Sequence, residues 1–221
     1  MADTMDSYLN LLANVTILCT VAMFAAGIPS CLAIFKTGST QNVPYLPFLM
    51  TLVNNILWFY YGILKNDSTL LVVNGIGGCL QIIYIAVYLY FALSRVKEMR
   101  QSLFAMCFMS ALWFLLQNYV VEPKIIEDRL GLTASTITVL MYASPLAEIA
   151  EVIRRKNSAS ISLALTITSL ATSTLWFLYG LLISDLYIQV PNFLGIPSCL
   201  IRLVLIYKYT GSTNQYQTYQ A

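Results

Sequence analysis

Leu57-Trp58-Phe59, followed by Tyr61-Gly62, Asp67, Asn74 and Gly77, returns as Leu175-Trp176-Phe177, Tyr179-Gly180, Asp185, Asn192 and Gly195, each pair separated by 118 residues. A self-similarity of this kind decides the architecture before any local pattern does. The repeated block is rich in apolar side chains and carries one asparagine in each copy. Duplicated membrane units with a polar residue at matching positions point to a transporter.

Working outward, composition sets the solvent. Of 221 residues, 58% are hydrophobic and only 10% charged, where a soluble domain carries about 25% charged residues. The chain is therefore expected to be an integral membrane protein. A net charge of +2 and the lack of a basic patch give no footing for nucleic acid. The five cysteines (Cys19, Cys31, Cys79, Cys107 and Cys199) all lie in apolar runs, and their odd number suits packing better than a disulfide framework. Histidine is absent and no two cysteines are close in sequence, so no metal or cofactor is expected. The acidic start, Met1 to Asp6, lacks the basic region of a cleaved signal peptide, and the first span reads as an uncleaved anchor.

Crossing about 30 Å of hydrocarbon takes roughly 20 helical residues. Seven segments qualify: Leu9–Phe35, Pro44–Leu64, Leu70–Phe91, Ser102–Val121, Leu132–Val152, Ile161–Leu182 and Tyr187–Tyr207. Pro44 is expected to start the second span, and Glu122 to Gly131, containing Pro123, to be the longest loop. Three spans make an odd unit, so a second copy joined directly would be inverted; the unrepeated fourth span restores parallel orientation. The expected fold is an all-α membrane protein of 3+1+3 layout: a first repeat over residues 9–93, a linker with the fourth span over 94–131, a second repeat over 132–209, and a disordered cytoplasmic tail over 210–221. Lys36, Arg95, Lys97, Arg100, Arg154, Arg155, Lys156 and Lys208 fall on one side, and only Lys65, Lys124 and Arg129 on the other. The excess marks the cytoplasmic side and places the N-terminus outside or in a lumen.

Asn74 and Asn192 are the leading candidates for chemistry. A side-chain amide in hydrocarbon needs a partner, either another helix or a solute in a wet cavity. With two donors and an acceptor it suits a polyhydroxylated solute, although interhelical glue is the plain alternative. Trp58 and Trp176 can stack on the C–H face of a sugar ring or belong to an interfacial aromatic belt; Trp113 reads as belt or packing. Pro29, Pro47 and Pro145 interrupt helices by removing a donor and are kinks or hinges, while Pro191 and Gly75 could loosen the helices beside the two amides. Tyr61 and Asp185, near outer span ends, suit an outer gate or simple solvation. Glu151 is spaced to pair with Arg154 or Arg155, and Arg202 is close enough to the inner end to snorkel. No acid or histidine lies mid-span, where proton relays place theirs, and no nucleotide-binding or enzyme motif occurs. Downhill transport is what remains.

The stretches Leu46-Pro47-Phe48, Val53-Asn54-Asn55, Val72-Val73-Asn74, Met141-Tyr142-Ala143-Ser144-Pro145-Leu146-Ala147 and Val190-Pro191-Asn192-Phe193 resemble those of the SWEET sugar transporters, in their animal branch, over residues 9 to 209. The resemblance implies a bidirectional uniporter for a monosaccharide such as glucose, working by alternating access, with two three-helix bundles rocking around a central site. It implies that Asn74 and Asn192 hydrogen-bond the sugar and that Trp58 and Trp176 line its pocket. It further implies that Tyr61, Tyr179 and Asp185 form the outer gate and that Pro29, Pro47 and Pro145 are hinges. The fourth hinge position holds Ala164, in Ser162-Leu163-Ala164-Leu165, where the family pattern has proline. Sugar and lipid bilayer are the implied partners, with a homo-oligomer as a candidate assembly and the plasma membrane or the Golgi as resident membrane. A transporter of cationic amino acids with PQ-loop architecture would need a mid-span acid and Pro-Gln dipeptides, whereas the chain has Pro29-Ser30 and Pro145-Leu146. A seven-span receptor would not be duplicated and would carry larger loops.

Overall fold

A computed structural model describes residues 2–119 and 122–218. Within them the chain forms nine α-helices: α1 (Ala2–Phe24), α2 (Ile28–Thr37), α3 (Leu46–Lys65), α4 (Ser68–Phe91), α5 (Val96–Tyr119), α6 (Pro123–Met141), α7 (Ala143–Arg155), α8 (Leu163–Leu182) and α9 (Leu186–Thr218). Helices α1 and α2, joined by a single 3-10 turn at Ala25–Gly27, make one span, and α6 and α7 make another. Seven helical segments are long and apolar enough to cross a bilayer, and no strand occurs among the described residues. The order is 3+1+3, as the repeat implied.

Proline chemistry explains where two spans break. A proline removes the hydrogen bond to the carbonyl four residues earlier and crowds it. Counting back four from Pro29 gives Ala25, where the 3-10 turn begins; from Pro145 it gives Met141, where α6 ends. Each proline then lies in the first turn of the following helix, where no donor is needed.

The same rule corrects two expectations. Pro47 does not interrupt a helix: α3 begins at Leu46, after Pro44, and Pro47 occupies its first turn. The supposed long loop is helical, because Pro123 opens α6 as its first residue and Ile125 and Ile126 donate to the Glu122 carbonyl. Helices α4 and α9 run on past Gly75 and Pro191, α9 with one backbone donor missing at Pro191. Helix α9 continues past Thr210 to Thr218, since extending an existing helix adds a hydrogen bond per residue without a new nucleus; the tail over 210–221, expected to be disordered, lies outside the described residues at 219–221.

The duplication is written into the backbone. The residues with left-handed φ among those described are Gly38, Asn66, Lys156 and Ser184, and they pair, Gly38 with Lys156 and Asn66 with Ser184, at the same 118-residue spacing. Gly38, Asn66 and Lys156 end helices α2, α3 and α7. The side chain costs Lys156 the ease that Gly38 has in this conformation, so position in the fold overrides residue preference there.

Contacts group the chain into two compact units, residues 20–134 and residues 1–19 with 135–221. In the first, α3 lies along α4 and α2 packs on α4. Ile34, Tyr45, Leu49, Tyr88 and Ala92 form a core there. Helix α5 is pinned to α3 by Tyr45 with Ser102 (2.6 Å) and by Gln117 donating to Tyr60 (3.0 Å), and Lys65 at the end of α3 reaches Glu127 on α6 (3.3 Å). In the second, α8 lies along α9 and α7 packs on α9, around Ile149, Val152, Ile161 and Leu205. The five cysteines are free. Large apolar side chains such as Phe104, Trp113, Leu132 and Val204 are exposed, as suits a surface bathed in lipid.

Candidate functional site

In the first repeat, Trp58 and Tyr61 sit one turn apart on α3 and meet edge to face, with ring centroids 5.5 Å apart. In the second, Trp176 and Tyr179 on α8 repeat the pair at 5.6 Å. Both indoles are buried, at 7% and 8% exposure, which removes the aromatic-belt reading for them; Trp113, at 59%, keeps an outward position. Edge-to-face rings are favoured electrostatically, so each tyrosine fixes the plane of its tryptophan.

Asn74 on α4 donates from Nδ2 to the Leu70 carbonyl at 2.8 Å, and Asn192 on α9 donates to the Ile188 carbonyl at 2.7 Å. Each amide thus uses one N–H on its own helix and in doing so locks its rotamer. The described hydrogen bonds leave the second N–H and the Oδ1 of both to other partners. That is a donor and an acceptor side by side, the pattern a vicinal diol complements.

The helices carrying the amides are held close to their neighbours by glycine. A Cβ on Gly62 of α3 would lie 2.9 Å from the Leu70 Cβ, and one on Gly180 of α8 would lie 3.0 Å from the Gln189 Cγ. Both hairpins turn in the same way: Asp67 N donates to the Gly62 carbonyl (2.9 Å) and Asp185 N to the Gly180 carbonyl (2.8 Å).

Asp185 has a role that the gate-or-solvation alternatives missed. It is 4% exposed and its Oδ1 accepts from the amides of Tyr187 (2.9 Å) and Ile188 (3.3 Å), which caps α9; Asp67 caps α4 by accepting from Leu70 (3.0 Å). An aspartate at this position satisfies donors that the first turn leaves over. A sequence signal existed, since both acids stand immediately before an apolar helix.

The Arg202 side chain is buried and paired. Its Nη2 meets Glu148 Oε2 at 2.5 Å, and the two side chains are 10% and 26% exposed. The pair ties α7, just past Pro145, to α9. Glu151 pairs with Arg154 at 2.6 Å and with Arg155, as its spacing foretold. Ala164 occupies the second position of α8, as Pro47 does in α3, with Ser162 capping the helix by accepting from Leu165 (3.3 Å).

Two further buried polar groups escaped sequence reasoning, Asn55 Nδ2 and Thr172 Oγ1, neither with a hydrogen-bond partner. Asn55 belongs to the motif Val53-Asn54-Asn55, but it lies at 118 residues from Ser173 rather than from another asparagine, so an identity-based search for repeats passes over it.

A family model described as sugar efflux transporter for intercellular exchange matches the chain twice, over residues 10–96 and 128–214, two stretches that start and end 118 residues apart. The sugar transporter SWEET1 of Xenopus tropicalis is 40% identical over 201 residues, which cover 90% of this chain and 93% of its own. The human SWEET1 is 39% identical over 206 residues, covering 90% of each chain, and that of Drosophila pseudoobscura pseudoobscura is 32% identical over 211 residues, covering 95% and 93%. Among solved structures, a eukaryotic SWEET transporter determined at 3.7 Å shares the fold with a TM-score of 0.86 and 25% identity, covering 94% of this chain and 99% of that one. These relatives are transporters and not enzymes.

Proposed function

The chain belongs to the SWEET family of sugar transporters, and on that premise we propose that it moves a monosaccharide such as glucose down its gradient, in either direction, as a uniporter working by alternating access. The observation that carries the proposal is the matched pair of amides, Asn74 and Asn192, each locked onto its own helix with a donor and an acceptor left over. Each repeat contributes one amide to bind hydroxyls and one buried indole, Trp58 or Trp176, to cover a sugar's apolar face. Two bulky indoles favour a monosaccharide over a disaccharide.

Uniport follows from the placement of charge. Proton-coupled carriers need an ionisable group that titrates within the membrane. Buried Asp185 and half-buried Glu148 both have structural partners: Glu148 is held by Arg202, and Asp185 by the first amides of α9. Neither is left to carry a proton across.

The breaks before Pro29 and Pro145 are the proposed bending points, with Pro47 and Ala164 at the starts of α3 and α8 completing the inner hinges. Tyr61, Tyr179 and Asp185 are the proposed outer gate, Asp185 through the position it gives to the start of α9. The repeats over 9–93 and 132–209 with a linker over 94–131 are the moving parts of this account. The lysine and arginine excess supports a cytoplasmic C-terminus and an outer or lumenal N-terminus, in the plasma membrane or the Golgi, with a homo-oligomer as the assembly to look for.

The test is uptake and efflux of labelled glucose in cells lacking hexose carriers. Wild type is expected to equilibrate glucose in both directions, and collapse of the proton gradient is expected to leave both rates unchanged. Accumulation above the outside concentration, or loss of flux on collapsing the gradient, would overturn uniport.

A further inference from the structure

Phe24, Asn55 and Gly77 in the first repeat correspond, at the 118-residue spacing, to Tyr142, Ser173 and Gly195 in the second. Only the glycines are identical, yet the two trios assemble alike. A Cβ on Gly77 would fall 2.5 Å from Phe24 Cε2 and 2.7 Å from Asn55 Nδ2; one on Gly195 would fall onto the Tyr142 hydroxyl and 2.8 Å from Ser173 Oγ. In each repeat, then, an aromatic residue at the proline break of a bent span presses on a glycine one turn beyond the amide-bearing asparagine. Phe24 is the last residue of α1, and Tyr142 stands between α6 and α7.

The chemistry of the two trios differs. The Tyr142 hydroxyl donates to the Pro191 carbonyl at 3.1 Å and is itself hydrogen-bonded by Ser173. Phe24 has no hydroxyl to offer the corresponding carbonyl of Val73. Beside it, Asn55, 1% exposed, keeps an Nδ2 with no hydrogen-bond partner.

The difference matches a difference in the helices. Val73, directly before Asn74, donates its N–H to α4 like any helical residue. Pro191, directly before Asn192, has no N–H, so α9 lacks a rung of its ladder next to the amide, and it loses another at Pro197. In a membrane helix such a defect persists only where neighbours compensate it. The rung that Pro191 cannot supply is the one to the Tyr187 carbonyl, four residues earlier; the Tyr142 hydroxyl, from the adjacent span, does not replace that bond but tethers the weakened stretch at the Pro191 carbonyl, next to Asn192.

We propose that Tyr142 is a positioning residue of the transport site: its hydroxyl clamps Pro191 and thereby holds the Asn192 amide in place, a hold that the first repeat, with an intact α4 and Phe24 opposite, does not need. The proposal rests on the reading that Asn192 binds the sugar. It also links site to hinge, because Tyr142 lies at the break of the Pro145 span, so bending of that span bears directly on the amide.

The test is the concentration dependence of glucose uptake, normalised to transporter at the surface, in wild type, Tyr142→Phe, Pro191→Val and the double variant, with Asn192→Ala alongside. Losing one hydrogen bond that orders a binding group should raise KM about 3–10-fold, while Tyr142→Phe leaves the maximal rate per transporter within about twofold. In the Pro191→Val background, where the ladder is restored, the same Tyr142→Phe change should alter KM less than about twofold. A merely structural tyrosine would lower abundance and leave KM alone. Ser173→Ala, which removes the donor to the same hydroxyl with a smaller deletion, should raise KM in the same direction and serves if Tyr142→Phe does not reach the membrane. An unchanged KM in Tyr142→Phe or Ser173→Ala, or an equal rise with and without Pro191, overturns the positioning role while leaving the site standing if Asn192→Ala is inactive. Normal uptake by Asn192→Ala overturns the site reading itself.

Discussion

Removing one charge of the Glu148–Arg202 pair should damage the protein more than removing both. The two side chains meet at 2.5 Å with 26% and 10% exposure, and Arg202 Nε has no partner of its own. Glu148→Leu therefore leaves a guanidinium buried in an apolar bundle with its main counter-charge gone. Breaking a buried pair costs about 3–5 kcal/mol, whereas replacing both members by apolar side chains is often neutral. The partial exposure of Glu148 brings this case to the bottom of that range or just below it, about 2–3 kcal/mol. For a chain of this size each kcal/mol moves Tm by about 2–4 °C, so a fall of about 4–12 °C is expected for Glu148→Leu. Arg202→Leu should cost less, because Glu148 is the more hydrated partner and can recruit water. The double variant should return to within about 1 kcal/mol of wild type. Thermal melting of the detergent-solubilised protein, followed by size-exclusion of the surviving fraction, reads all four points. Additive losses in the double variant, or a Glu148→Leu Tm equal to wild type, would refute the claim that the pair is a unit clamping α7 to α9.

Three other outcomes follow from the geometry. Gly195→Ala should destabilise the protein, because its Cβ would collide with the Tyr142 hydroxyl and Ser173, while Gly78→Ala, with nothing within 4 Å, should be neutral or slightly stabilising in the same melt. Asp185→Ala should lower stability by about 0.5–2 kcal/mol through loss of the α9 cap, and Asp185→Ser should recover most of it; equal melts for the two would remove the capping role. Ala164→Pro should fold, since the second position of α8 tolerates proline, and should change the rate of glucose uptake; an unchanged rate would remove Ala164 from the hinge.

The repeat made much of this legible. The quoted block located both tryptophans, both amides and both caps, and counting back from Pro29 and Pro145 gives the two breaks. What it hid had physical causes. A proline looks the same in sequence whether it bends a helix or opens one, so sequence alone does not separate Pro47 and Pro123, which open helices, from Pro29 and Pro145, which follow breaks. Glu148 and Arg202 lie on different spans, and nothing local in either sequence announces the partner. Lys156 and Ser184 are poor predictors of a left-handed turn and are held there by the fold they share with Gly38 and Asn66. The trio of Tyr142, Ser173 and Gly195 was visible at the common spacing, but only the glycine is conserved between halves, and the meaning lay in the hydroxyl that Phe24 lacks.

The central claim is that one amide from each repeat binds the transported sugar. Its most direct test is counterflow of labelled glucose into proteoliposomes preloaded with unlabelled glucose, comparing wild type with Asn74→Ala and Asn192→Ala at equal reconstituted protein. Loss of the two or so hydrogen bonds that each amide can offer should cut counterflow by about tenfold or more in both variants, with melting temperatures near wild type. Wild-type counterflow in either variant would contradict the account.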